Sequence, residues 1–195
     1  MLRKRAILRL LVEPLAVAVV LAFGVRSMVR VYSIPSRSME PTLQVGDRIA
    51  VTPYWRGASP KRGEVVVFRS PARPSQFLVK RVIAVPGELI GDRLGRVTVG
   101  GHALAEPYVA VPAATGNIEP QIVPHDCYFV MGDNRPSSFD SRSWGVLPGR
   151  LIVGRARMVL WSARGTLAPA AFASTGNSWR NGLRREQLRF FLPID

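Results

Sequence analysis

The chain has 195 residues, 47% of them hydrophobic and 21% charged, enough for one globular domain with an appendage and too apolar for a disordered polypeptide. Its formal net charge of +14 calls for an anionic neighbour, and charge alone does not choose between nucleic acid and a lipid headgroup surface. One cysteine, Cys127, excludes an intramolecular disulfide and a cysteine-based zinc site, and with only two histidines, His102 and His125, no metal and no cofactor are expected.

Residues 1–30 open on Arg3, Lys4 and Arg5 and continue as an apolar run from Leu10 to Val25, broken by Glu13. The uncharged part, Pro14 to Val25, is shorter than the roughly 20 residues that cross a bilayer core. Counted from Leu10 to Met28 it becomes long enough, because Arg9 and Glu13 stand one helical turn apart and can pair, and Arg26 can reach outward. The expectation is one transmembrane helix within 1–30. A cleaved secretory signal and a membrane-surface helix compete with it, but Gly24-Val25-Arg26-Ser27 is a poor cleavage site. The basic flank favours a cytoplasmic N terminus in the cell (inner) membrane and an extracytoplasmic domain over 31–195.

The stretch from Ile34 to Val51 carries Ser36 and Ser38 between Pro35 and Pro41, so the backbone is stiffened on both sides and neither serine fits a long regular element. A hydroxyl on such a turn is well placed to react, although a plain Ser/Pro linker has the same composition. Gly46-Asp47 then turns the chain into a strand. From here the texture is β: Asp47–Thr52, Gly63–Arg69, Gln76–Val85, Arg96–Val99, Cys127–Met131 and Leu151–Leu160 are short, rich in Val, Ile and Phe, and separated by Pro and Gly turns. The pattern predicts a mainly β catalytic domain of antiparallel sheets, partly closed like a barrel or sandwich-like. The basic tail, 165–195, reads as a solvated terminus, with a short amphipathic helix over Trp179 to Phe191 as the alternative.

A serine hydroxyl needs a base. A Ser-His-Asp triad would recruit His102 or His125, both in loop-like settings. Only three of the 27 basic residues are lysines, Lys4, Lys61 and Lys80, and Lys80 alone lies in an apolar run, Phe77 to Val85. Burial there would lower its pKa and make it a base, whereas Arg81, on the opposite face of the strand, would stay solvated. An edge-strand lysine reaching for solvent is the plainer alternative. The loop from Met131 to Gly145 is dense in polar side chains. A carboxylate touching Lys80 would raise its pKa, so Asp133 and Asp140 are expected to pair elsewhere, Asp140 with Arg142, and Ser138 is the expected neutral partner of Lys80.

These residues fall into four motifs in order: Ser36-Arg37-Ser38-Met39-Glu40-Pro41-Thr42-Leu43, then Gly46-Asp47-Arg48-Ile49, then Lys80-Arg81-Val82-Ile83 with Pro86-Gly87, then Gly132-Asp133-Asn134-Arg135 with Ser138 through Gly145. Together with the preceding apolar span they resemble bacterial type I signal peptidases, the membrane-bound Ser-Lys enzymes of peptidase family S26 that remove signal peptides from exported preproteins. Glu88 stands where that family more often has aspartate, and the stretch before Gly132 is too short for the large inserted domain of some relatives.

The resemblance implies that Ser38 is the nucleophile, Lys80 the general base, the Ser38 N–H and Ser36 hydroxyl the oxyanion hole, Ser138 the group that orients Lys80, and Asp140–Arg142 a structural pair. It implies preprotein substrates with small residues at the first and third positions before the scissile bond, with anionic membrane lipid as the second partner and no nucleic acid. A conjugation-type Ser-Lys peptidase dedicated to a pilin-like substrate, and a non-enzymatic membrane-tethered basic binding domain, are the competing functions. Oligomeric state is left open.

Overall fold

The computed structural model describes residues 28–55, 57–110, 118–162 and 192–194, together with Pro14, Leu15, Val17, Ala18 and Gly24. The chain divides into two compact units, Met1–Arg30 and Val31–Asp195. In the first, the described residues from Pro14 to Met28 are helical. Most of the expected membrane span lies outside the described residues, and among them no helix is long and apolar enough to cross a membrane.

The second unit is mainly antiparallel β. Its strands are β1 (Arg30–Ser33), β2 (Arg48–Thr52), β3 (Val65–Arg69), β4 (Phe77–Ala84), β5 (Leu89–Arg93), β6 (Arg96–Val99), β7 (His102–Ala103), β8 (Gln121–Ile122), β9 (Cys127–Met131), β10 (Leu147–Pro148), β11 (Ile152–Trp161) and β12 (Leu192–Pro193). The larger sheet runs β1-β2-β11-β3-β4-β9-β10, with β12 also on β11, and the smaller runs β7-β6-β5-β8. The larger path is open. It curls enough for the Tyr32 ring of β1 to meet that of Phe77 at the start of β4, centroids 5.2 Å apart.

Strand β3 explains why its sequence does not alternate. Val65 and Val67 enter one core with Ile34, Met39, Leu43 and Ile49, whereas Val66 and Phe68 enter a second with Val82, Val130 and Leu147. Both faces are buried, so a continuous apolar run is what the position requires. A third core, around Ile83, Ile90, Val97 and Phe129, joins the smaller sheet to the larger. The β5–β6 hairpin closes on Leu94 and Gly95, both at positive φ (54° and 74°), as a two-residue turn with the twist of its strands demands.

Each long strand lies within two residues of its expected position. The strands that the sequence pattern does not reveal, β1, β5, β7, β8, β10 and β12, are short and owe their conformation to a partner. The end of the tail differs from the expected solvated terminus: β12 pairs with Met158 and Val159 of β11, and Ile194 is buried in the first core. The apolar Ile194 has a core to enter, and this outweighs the tendency of a terminus to fray. The rest of the basic tail, including the alternative helix over Trp179 to Phe191, lies outside the described residues.

Candidate active site

Ser38 sits in a single 3-10 turn, Arg37–Met39, between β1 and β2. The turn is held from below, because Met39 and Leu43 are fully buried in the first core and the Leu43 N–H donates to the Met39 carbonyl at 2.8 Å. Its base is tied by a backbone exchange: Ile34 N–H donates to Asp47 O (2.9 Å) and Gly46 N–H to Ile34 O (2.8 Å). The Asp47 carboxylate, itself buried, accepts from the Gln44 N–H and from the Ser162 hydroxyl. The Gly46-Asp47 motif thus clamps the two ends of the loop that carries the serine.

Lys80 lies in the middle of β4, opposite Val66 of β3, and is 3% exposed. Its Nζ makes a 2.6 Å hydrogen bond with Ser38 Oγ across 42 residues of sequence. Burial, the dominant cause, pushes the Lys80 pKa down from 10.5 to about 8; Asp140 and Asp133 pull it up, and Arg142 adds to the lowering. A lysine so placed is about half neutral near pH 8 and can accept the Ser38 proton. Ser36 Oγ is 3.2 Å from Ser38 Oγ on the exposed side of the turn.

The loop after β9 covers this pair. Its 3-10 turn, Arg135–Ser137, and the short helix α1, Ser141–Trp144, bring Asp140 and Arg142 together through Nε–Oδ1 and Nη2–Oδ2 contacts of 2.8 Å each. Asp140 also accepts the Gly132 N–H at 3.0 Å. Burial pushes its carboxyl up, but Arg142, the neighbouring Ser138 hydroxyl and Gly132 more than offset it and hold it below the ordinary range. Ser138 Oγ is buried beside Gly132 and the Ser38 carbonyl, near enough to Asp140 to act on its carboxylate, but among the described residues it makes no full hydrogen bond, to Lys80 or to another group.

Arg81 departs from expectation. It is 1% exposed, not solvated: Nε and Nη2 make a bidentate pair with Asp133 at 2.9 and 2.8 Å, Nη1 donates to Gly63 O at 2.7 Å, and the guanidinium lies 4.1 Å from the centre of the Tyr108 ring. Strand alternation correctly separates it from Lys80, but the side away from Lys80 is covered by the loop after β9 and by Tyr108. The fork geometry of arginine satisfies a buried carboxylate as a lysine could not. His102 and His125 are exposed; His125 pairs with Asp126, and neither bonds to Ser38.

Further residues hold the site, in roles that the sequence did not assign to them. Asn134 donates its N–H to Ser38 O and its side-chain amide to Arg37 O, both at 3.1 Å. Arg135 donates from Nε to Gly132 O at 3.0 Å and pairs with Glu106. The signal that could have found Glu106 is its isolation as the only charged residue between Arg96 and Glu119.

A small cavity of about 40 Å³ opens beside Ser38, walled by Ile34, Met39, Val67, Leu78 and Val79. A larger cavity, about 670 Å³ between Tyr54, Tyr128 and Pro148, contains none of these groups, so size does not locate the chemistry here.

Comparison with known proteins agrees with the motifs. A family model described as signal peptidase, peptidase S26, matches residues 7–161. The chain is 40% identical over 156 residues to probable signal peptidase I-2 of Synechocystis sp., covering 76% of this chain and 71% of that one. It is 38% identical over 170 residues to signal peptidase I of Leptolyngbya laminosa, covering 81% and 83%. To signal peptidase I of Pseudomonas aeruginosa it is 34% identical over 186 residues, covering 69% and 66%.

Proposed function

We propose that this chain, which belongs to the signal peptidase family, peptidase S26, is a membrane-anchored serine endopeptidase that uses Ser38 and Lys80 to cut signal peptides from exported preproteins. The observation that carries the reading is the 2.6 Å hydrogen bond between the nucleophile hydroxyl and a buried lysine whose pKa is near 8.

In the reaction the neutral Lys80 amine takes the Ser38 proton as Oγ bonds to the scissile carbonyl carbon. The oxyanion accepts hydrogen bonds from the Ser38 N–H and the Ser36 hydroxyl. Lys80 then hands its proton to the leaving amine nitrogen, the peptide bond breaks, and the mature N terminus departs. A water molecule, deprotonated by Lys80, attacks the Ser38 ester; the signal peptide leaves as a carboxylate and the hydroxyl is restored. The Ser138 hydroxyl, which makes no hydrogen bond to Lys80 in the structure, turns to accept from the Lys80 ammonium once the proton has been taken, and the Asp140–Arg142 pair holds the loop that carries it.

A cavity of about 40 Å³ has room for a methyl group or little more, which supports a preference for small residues before the scissile bond. An extended substrate with its apolar segment in the bilayer suits a nucleophile few residues beyond an anchor within 1–30, on the extracytoplasmic side, and the charge of +14 suits anionic lipid headgroups.

The full chain in lipid should cut a preprotein carrying an Ala-x-Ala site directly after the second alanine, as mapped by mass spectrometry. Leucine in place of that alanine should block the cut. No cleavage, or equal cleavage of the leucine substrate, would overturn the proposal.

Gly132 gives a separate expectation. A Cβ added there would stand 2.3 Å from Ser138 Oγ and 2.4 Å from Ser38 O, closer than real contacts allow. Gly132→Ala therefore has to shift the Ser38 turn, and a displacement near 1 Å lowers kcat by about 100-fold. Single-turnover cleavage, with the far-UV spectrum retained, is the measurement.

A further inference from the structure

Besides Asp140, three ionic groups lie buried around the Ser38–Lys80 pair without a hydrogen bond to it: Arg81, Asp133 and Arg135. Two of them meet the same short segment, Glu106-Pro107-Tyr108, in the connection that follows β7 of the smaller sheet. The Glu106 carboxylate accepts Arg135 Nη1 at 3.0 Å, a second and shorter contact from Arg135 Nη2, and the Tyr108 hydroxyl at 3.0 Å. The Tyr108 ring, in turn, faces the Arg81 guanidinium at 4.1 Å.

We propose that Glu106 and Tyr108 are positioning residues: by clasping Arg135 and Arg81 together they fix the Ser38 turn and the Lys80 strand relative to each other. The inference rests on the Ser38–Lys80 reading given above.

The path on the nucleophile side runs from Glu106 to Arg135, from Arg135 Nε to the Gly132 carbonyl, and from Gly132 to the Ser38 carbonyl packed against it. Asn134, beside Arg135, adds the two hydrogen bonds to Arg37 O and Ser38 O. On the base side, Arg81 follows Lys80 in β4, and its guanidinium is held between Asp133 and the Tyr108 ring. The strand and the loop are thus bridged twice, directly by Arg81–Asp133 and indirectly through Tyr108 and Glu106. A proton passes between Ser38 and Lys80 only at hydrogen-bond distance, so the rate depends on this register far more steeply than substrate affinity does. Desolvated cation–π contacts and paired buried charges are rigid enough to set it. The connection that follows β7 then contributes to catalysis although neither Glu106 nor Tyr108 touches the reacting atoms.

The test is steady-state cleavage of the Ala-x-Ala preprotein by the full chain, with kcat and KM separated and thermal midpoints measured in parallel. Tyr108→Leu and Glu106→Ala should lower kcat by about 10- to 100-fold, with KM changed by less than about 2-fold. Tyr108→Phe keeps the ring face over Arg81 but loses the hydroxyl bond to Glu106, and should fall between, about 3- to 10-fold below wild type in kcat. Leu94→Ala, at the exposed tip of the β5–β6 hairpin, should match wild type. If Glu106→Ala does not fold, Glu106→Gln, which keeps an acceptor oxygen, replaces it and should lose about 10-fold in kcat.

Full kcat in Tyr108→Leu, a loss carried by KM, or a loss that disappears once the assay is run well below the variant's thermal midpoint would each overturn the positioning role while leaving Ser38 and Lys80 in place. An inactive wild type would overturn the Ser38–Lys80 reading itself, and this inference with it.

Discussion

Replacing Lys80 with arginine should abolish cleavage, lowering kcat by about 10⁴-fold or more, because the charge is kept while the base is lost. Ser38→Ala should fall as far, and the double variant no further, since nucleophile and base act in one step and their losses do not add. In the wild type, kcat/KM should rise with pH through about 8, as Lys80 sheds its proton in the free enzyme. Full activity in Lys80→Arg would remove Lys80 from the reaction.

The same lysine carries a stability cost with a defined sign. Its folded pKa, about 8, lies below the ordinary 10.5, so the folded state disfavours the ammonium. Below pH 8 both folded and unfolded chains hold the proton, and the cost is present in full; it fades as pH rises from 8 to 10.5 and is gone above that. Lys80→Met should therefore be inactive yet more stable than wild type near pH 7, by about 3 kcal/mol. Denaturant midpoints taken across this window would show the difference shrinking as pH rises. A variant less stable than wild type at pH 7 would contradict the desolvation account.

The second large effect belongs to the Arg81–Asp133 pair, whose side chains are 1% and 0% exposed. Asp133→Ala leaves the Arg81 guanidinium buried without its carboxylate and should cost about 3–5 kcal/mol. Thr42, which donates its hydroxyl to Asp133, loses that acceptor as well. Replacing both partners with apolar residues, Arg81→Met with Asp133→Leu, should recover much of the loss, because no unpaired charge remains. Urea unfolding of the four proteins forms a double-mutant cycle, and a coupling energy near zero would show that the pair is incidental. Activity should not return with stability, since the double variant lacks the cation that spans β4 and the loop after β9.

How far the sequence could be read follows from where each partner lies. The long strands β2, β3, β4, β9 and β11 were legible because β-branched runs bounded by Gly and Pro carry their own signal. The two-residue strands carry none, and β7, β8, β10 and β12 exist only through the strand beside them. Likewise Asp140 and Arg142, two residues apart, could be paired on paper, whereas Arg135 and Glu106, 29 residues apart, could not.

The chemical types available are already written in the chain: a serine on a stiffened turn, a lysine in an apolar strand, and a polar loop whose carboxylates had to be kept from that lysine. Local rules suffice for these, because proline, glycine and strand alternation act over a few residues. Packing across the folded chain is what brings Lys80 within 2.6 Å of Ser38, seals Arg81 under Asp133 and Tyr108, and returns Ile194 to a core. Alternation says which side of a strand a residue takes, but what covers that side is chosen by the packing of segments distant in sequence. For that reason Lys80 could be anticipated as buried, and Arg81 could not.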